Sequence, residues 1–387
     1  MAPTPRPIPA CRLHELEIPA IPMPDIADAK VYILRDENRI EAEPLIRCLL
    51  DIAGIDKPAG PDAEVTVDML EQTSLLAKGH DLQFVINDLL LLDGLKRHPN
   101  RVDDIEQATL IVPDLLPFLS SMLPEPEVLT KLCAAHPLID VDHDQRMKLA
   151  QRSLIDSVYW NKQTSGKFVF IHSKPLGFGG SMDSISPGLG GLMVKGQATI
   201  LTSSLNNIDR WVQNKLNKKQ SKQSQNGRVF KAKATVIPLR ASRFARAEKS
   251  MAEKSLDFSM FDSTSKDVLK KMRDIIFANS RVETHGHRVA VVDERFIAAK
   301  SMAESRACLV FDFGDSSEGL QAMYDALQTG CTPVMLFASW SAAKLPFMHH
   351  IDWLQTGIAG SSLKCYLQNP IEFQWLIDEA RANDFVE

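Results

Sequence analysis

The stretch Arg306-Ala-Cys-Leu-Val-Phe-Asp-Phe-Gly-Asp-Ser-Ser-Glu-Gly319 decides the fold. Ala307–Phe311 is a short uninterrupted apolar run, the signature of a strand buried on both faces of a parallel sheet. A polar loop, Asp312–Gly319, follows, and then a helix over about 319–329. Thr332-Pro-Val-Met-Leu-Phe337 is the next strand. Strand, polar loop, helix and strand in succession make a βαβ unit, whose loop lies at the carboxyl edge of the sheet where such folds bind ligands. Gly314 permits a tight turn there, and Ser316 and Ser317 can cap the helix. The first-turn N–H groups, with Gly319 beside them, are suited to a phosphate, although a plain capped loop reads equally well. Neither G-x-G-x-x-G nor G-x-x-x-x-G-K-[ST] is present. Asp325, deeper in the helix among apolar neighbours, needs a hydrogen-bonding partner and suits the hydroxyls of a ribose, with a surface ion pair the plain alternative. Gly330 should end the helix in the left-handed conformation.

The same alternation extends in both directions. Lys30–Leu34, Thr109–Val112, Lys167–Ile171, Ala198–Leu201 and Ala234–Ile237 are strand-like runs, and Val289–Val292 is another ahead of 307. Helical patterns fill about 40–98, with Leu82–Leu92 apolar on more than one face, and then 146–161 and 294–305. Pro175–Gly191 is rich in glycine and proline and reads as a loop. With 387 residues, two domains are expected: a Pro-rich tail over 1–28, a first α/β domain over 29–245, and a second over 246–387.

Composition narrows the partners. The chain is 44% hydrophobic and 24% charged, with 44 basic against 49 acidic groups and a formal net charge of −5. Nucleic acid is not expected, since it would ask for a basic face. Residues 210–254 are the exception, with 13 Lys/Arg against two acidic residues. Their centre, 213–228, reads as a solvated basic insertion because no aromatics interleave for base stacking; an anionic partner is the other reading. The six cysteines form no C-x-x-C pair, so no structural zinc is expected. Buried, reduced thiols are the leading expectation, and one or two lumenal disulfides are the alternative. No signal-like or membrane-spanning apolar run is visible.

Two residues suit proton transfer. His172 directly follows the strand 167–171, the position of a cleft residue, and imidazole titrates near about 6.5. Asp183, within Gly179-Gly-Ser-Met-Asp183, is a second candidate base. His285 and His287 lack a ligand set for a metal, and His349 and His350 read as local packing. No G-x-S-x-G elbow supports a hydrolase.

Three runs taken together, Arg306–Phe311, Tyr324-Asp-Ala-Leu-Gln-Thr-Gly-Cys-Thr-Pro-Val-Met-Leu336 and Leu345-Pro-Phe-Met-His-His-Ile-Asp-Trp353, resemble the exostosin-like glycosyltransferase family (family 47 type). Weaker likenesses at 30–34, 101–113, 159–161 and 167–172 extend the resemblance over roughly 30–365. It implies a GT-B fold, two Rossmann-like domains facing across a cleft, with the acceptor on the N-terminal domain and a nucleotide sugar, a UDP-sugar by type, on the C-terminal one. It implies transfer to a glycan or polysaccharide hydroxyl and a role in glycosylation in the Golgi. No tightly bound cofactor is implied, and metal dependence stays open. By resemblance Asp325 stands where the family has an acidic residue near the donor ribose, and Ser316, Ser317 and Gly319 stand by the phosphates. The family arginine three residues earlier falls on Ala322, which cannot neutralise a departing diphosphate. The alternative is therefore a noncatalytic carbohydrate-binding or partner subunit on the same fold. A membrane-anchored transferase would be its natural partner, and the absence of a visible anchor leaves the cytoplasm open as well.

Overall fold

The computed structural model describes residues 29–54, 81–174, 184–203, 233–237, 249–250, 253–261, 289–292, 295–312, 317–337 and 359–362. The basic centre 213–228, the histidines at 285, 287, 349 and 350, and the Leu345–Trp353 run lie outside them. The protein is a mixed α/β chain built on parallel strands. It divides into two compact units, one spanning Pro22–Ile237 and one whose described part begins at 249.

In the first unit, β1 (Val31–Leu34) pairs in parallel with β2 (Leu110–Pro113), and β3 (Val169–Ile171), β4 (Thr199–Thr202) and β5 (Lys233–Val236) form a second parallel set. A parallel bridge between Ile111 and Phe168 joins β2 to β3. The far edge of β1 is occupied too: Val31 N donates to Asn100 O, and Val102 N donates to Val31 O. The chain thus leaves β1 to one side at Arg101 and to the other at β2, so its winding reverses between β1 and β2.

The core of this unit lies between the sheet and its helices, around Phe168, Ile111, Met147, Leu154, Leu189 and Ile200. Trp160 meets Phe168 edge-on at 4.6 Å between centroids. Emptying the Phe168 site to alanine would cost roughly 3–5 kcal/mol.

Helix α1 (Glu43–Ala53) starts at a proline and ends at Gly54 with φ of 66°, where left-handed backbone suits glycine. Helix α2 (Asp81–Lys96) is buried on most of its circumference, as its apolar run predicts. The short α3 (Pro117–Met122) and α4 (Pro126–Leu132) follow β2. Asp142 caps α5 (His143–Asp156) by accepting from Gln145 N at 2.7 Å.

Helix α6 (Pro187–Gly196) corrects the expectation of a loop up to Gly191. Ser186 caps it, Pro187 opens it, and its glycines let neighbours approach closely. A Cβ at Gly196 would stand 2.7 Å from the Trp160 ring. Glycine's low helix propensity is outweighed here by packing that a larger residue would block.

In the second unit, β6 (Leu256–Phe261), β7 (Val289–Val292), β8 (Ser305–Asp312), β9 (Thr332–Phe337) and β10 (Ala359–Ser362) form one parallel sheet in the order β10-β9-β8-β6-β7. Helices α7 (Arg295–Glu304) and α8 (Ser317–Gln328) connect them. The first and third strands are adjacent, so the winding reverses between β6 and β8, a doubly wound order. Gly330, with φ of 67°, terminates α8 as its position predicts. The buried ammonium of Lys254 closes that helix end by donating to Ser305 O, Thr329 O and Gly330 O at 2.7–3.1 Å. Burial pushes its pKa down to about 8.

Among the described residues two disulfides, Cys48–Cys133 and Cys308–Cys331, replace the reduced thiols expected there. The second forms because β8 and β9 pair with Cys308 opposite Pro333, which brings Cys331, at the foot of β9, alongside. Spacing along the chain carries no trace of that pairing.

Candidate functional site

In the first unit the chain emerging from β3 forms a dense polar cluster. The ladder persists past the strand, with His172 N donating to Leu201 O at 2.9 Å and Ser203 N to Ser173 O at 3.0 Å. The His172 ring is 2% exposed. Its Nδ1 is 2.8 Å from Lys174 O, and because a carbonyl only accepts, Nδ1 carries the hydrogen. Nε2 then offers its lone pair to the Ser184 hydroxyl at 2.5 Å. His172 therefore holds both residues flanking 175–183. Asp183, the other candidate base, lies in that segment, outside the described residues.

A second histidine shares the arrangement. His143 Nδ1 is 3.0 Å from Ser120 Oγ, and its ring also bonds the Ser184 backbone. Burial holds the His143 pKa below its ordinary value. Phe118 packs edge-on to His172 and carries Lys174 Nζ 4.5 Å above its ring centroid, a cation–π contact strengthened by burial.

The residue that sequence reasoning missed is Asp88, on α2. It is fully buried; Oδ1 accepts from Ser173 N at 2.7 Å and from Ser173 Oγ, and Asn87 Nδ2 donates to the same hydroxyl at 2.8 Å. Burial pushes its pKa up to about 7, against those hydrogen bonds. Its Oδ2 is buried without a hydrogen-bond partner. The signal was a carboxylate inside the apolar run Leu82–Leu92, where only a polar partner makes burial tolerable. Chemically the cluster offers one imidazole whose Nδ1 hydrogen is fixed by a carbonyl, with a buried carboxyl of raised pKa bonded to the next residue, Ser173. For His172 to accept a substrate proton, the Ser184 hydroxyl must yield its place at Nε2.

In the second unit the chain leaves β8 at Asp312 and re-enters as α8 at Ser317. Ser317 is the first helical residue and Gly319 lies in the first turn, so both stand at the carboxyl edge where the winding reverses. Ser316 falls just outside the described residues. Asp325 lies two turns further along, 3% exposed, accepting from Gln321 Nε2 at 3.0 Å. Ala322 is 2% exposed, within the packed side of the helix. Ser317, Gly319 and Asp325 thus share one helix, while His172 belongs to the other unit. Among the described residues no group of three His, Cys, Asp or Glu side chains is placed to hold a metal. No described helix is long and apolar enough to cross a membrane.

No family model and no curated protein matches the chain. Among solved structures it is similar to a TarM point mutant of S. aureus in complex with fondaparinux, alpha-GlcNAc-glycerol and UDP. The identity is 11% and the TM-score 0.27, over 62% of this chain and 55% of that one. The match thus spans about half the length of that protein, and a likeness so shallow bears on neither fold nor chemistry.

Proposed function

We propose that the protein binds a nucleotide sugar, a UDP-sugar by type, at the β6/β8 switch point and transfers its sugar to a hydroxyl of a glycan acceptor. The observation that carries this reading is the passage from β8 into α8. A helix of 12 residues begins where a doubly wound parallel sheet reverses its winding, the position at which such sheets receive a diphosphate. Two of the three exostosin-like runs, Arg306–Phe311 and Tyr324–Leu336, fall on this same β8–α8–β9 unit, and a GT-B pairing of the two units is part of the reading. Ser316, Ser317 and Gly319 face the diphosphate, Asp325 serves the ribose side, and His172 or Asp183 takes the acceptor proton.

A second reading has its own observation. Residue 322 is an alanine, so no charge from that position neutralises a leaving diphosphate, and a carbohydrate-binding subunit without turnover would need none. The two disulfides support residence in an oxidising lumen, where thiols pair, over the cytosol.

Titration with UDP, followed by hydrolysis and transfer measured over a panel of UDP-sugars and glycan acceptors, tests both readings. UDP binding with turnover supports transfer. Glycan binding without donor turnover supports the subunit reading. Failure to bind either UDP or UDP-sugars sinks the nucleotide site.

A further inference from the structure

The first unit has a switch point of its own, between β1 and β2, and its chemistry differs from that of the His172 cluster. Asp114 directly follows β2, and its side chain is fully buried. Two cations converge on it: Arg35, the residue after β1, through Nε at 2.9 Å, and Lys96, the last residue of α2, through Nζ at 3.0 Å. Two cations against one carboxylate leave a local surplus of one positive charge.

The neighbouring charges have partners of their own, with Asp36 and Asp156 sharing one arginine. Asp36 accepts from Ser153 and lies beside Arg39, Arg39 reaches Asp156, and Asp93 pairs with Arg97. Among the described residues none of these carboxylates forms an ion pair with Arg35 or Lys96.

Arg35 is oriented and open at once. Its Nε is fixed on the buried carboxylate, its side chain is 59% exposed, and its two terminal nitrogens make no ion pair among the described residues. A guanidinium held by one edge keeps its other N–H groups in a fixed plane, the geometry that recognises an oxyanion in two-point fashion. A buried carboxylate at a strand end is costly to desolvate unless cations hold it. The arrangement thus keeps the two cations beside the crevice that this sheet topology opens.

We propose that Arg35 and Lys96 form a subsite for one anionic group of a ligand, a carboxylate or a sulfate ester, with Asp114 as the residue that positions them. The identity of that ligand as an acidic acceptor glycan rests on the glycosyl-transfer reading; the anion subsite itself does not.

The test uses the full chain and three trisaccharide probes: one ending in a uronic acid, its uncharged methyl ester, and a neutral trisaccharide bearing one sulfate ester. Calorimetric titration of the native protein should give at least one acidic probe a dissociation constant about tenfold or more below that of the ester. The acidic probe that gains identifies the preferred anion. Arg35→Gln, which keeps a donor to Asp114, should bring the probes to within about twofold of one another. Arg35→Lys retains charge but loses the planar fork, and should keep part of the preference. Unchanged hydrogen-exchange protection of β2 in both variants establishes that the unit still folds. Equal binding of all three probes to the native protein overturns the proposal, as does an undiminished preference in Arg35→Gln. UDP titration of the same samples separates the two readings: absent UDP binding sinks the nucleotide site and leaves the anion preference standing.

Discussion

Replacing Asp88 by asparagine should change how the first unit's stability depends on pH. The carboxyl titrates near 3.8 when unfolded and is pushed up to about 7 in the fold. Between those values the native state holds a proton that the unfolded state has lost, so stability is full below the lower value and falls as pH rises through the upper one. The slope approaches about 1.4 kcal/mol per pH unit, giving a loss of about 1.7 kcal/mol by pH 5 and about 4.3 kcal/mol by pH 8. The asparagine side chain keeps the shape of the protonated acid and does not titrate. Its amide has its own fixed cost, since the position of Oδ2 offers no partner, but that cost does not vary with pH. The stability difference between variant and native protein should therefore move by about 2.5 kcal/mol in favour of the variant from pH 5 to pH 8. Hydrogen exchange of the β3 and β4 amides in the intact chain, corrected for intrinsic rates, reads this unit separately from the other. A difference that stays flat over that range would falsify the argument, because it would mean that burial does not govern the ionisation of Asp88.

Other consequences follow from the same geometry. Removing the second disulfide as the double variant Cys308→Ala and Cys331→Ala should weaken hydrogen-exchange protection of α8 by about 3 kcal/mol, from a sequence separation of 23 residues; unchanged protection would show that packing alone holds the helix. If transfer is detected, His172→Gln should lower its rate about a hundredfold or more, the contribution of a general base. Ser184→Ala, which only clears Nε2, should stay within about tenfold of the native rate. Equal losses in the two variants would assign His172 to holding the residues on either side of 175–183 instead of to chemistry.

Most strands were legible because short apolar or β-branched runs end at a proline or a polar loop: β2 at Pro113, β8 at Asp312. Two strands escaped, β10 at the sheet edge and β6 inside the sheet. Leu256-Asp-Phe-Ser-Met-Phe261 interrupts its apolar run with Asp257 and Ser259, and it follows a charged stretch. Ser259 is nevertheless buried, with its hydroxyl 3.1 Å from Cys308 Sγ. A hydroxyl that finds a neighbour inside the sheet removes the polarity penalty on which the sequence pattern depends. Strand order was out of reach for a related reason, since it is set by pairings such as Met260 with Leu309 across long separations.

The site divides along the same line. That His172 would stand at a strand's carboxyl end followed from local pattern, because a strand's end is written in adjacent residues. Its tautomer did not follow, since that requires Lys174 O on one side and Ser184 Oγ on the other. Asp88 and Asp114 make the contrast sharper. Both are acids beside apolar runs, and both are fully buried, yet their partners differ. Asp114 is held by Arg35 and Lys96 at 2.9 and 3.0 Å, whereas Asp88 has only Ser173, with Asn87 behind it, and is driven toward its neutral form. In the sequence each is simply an aspartate at the edge of a hydrophobic segment. Their difference lies in which residues, 85 positions away for Ser173 and 79 for Arg35, the fold sets beside them.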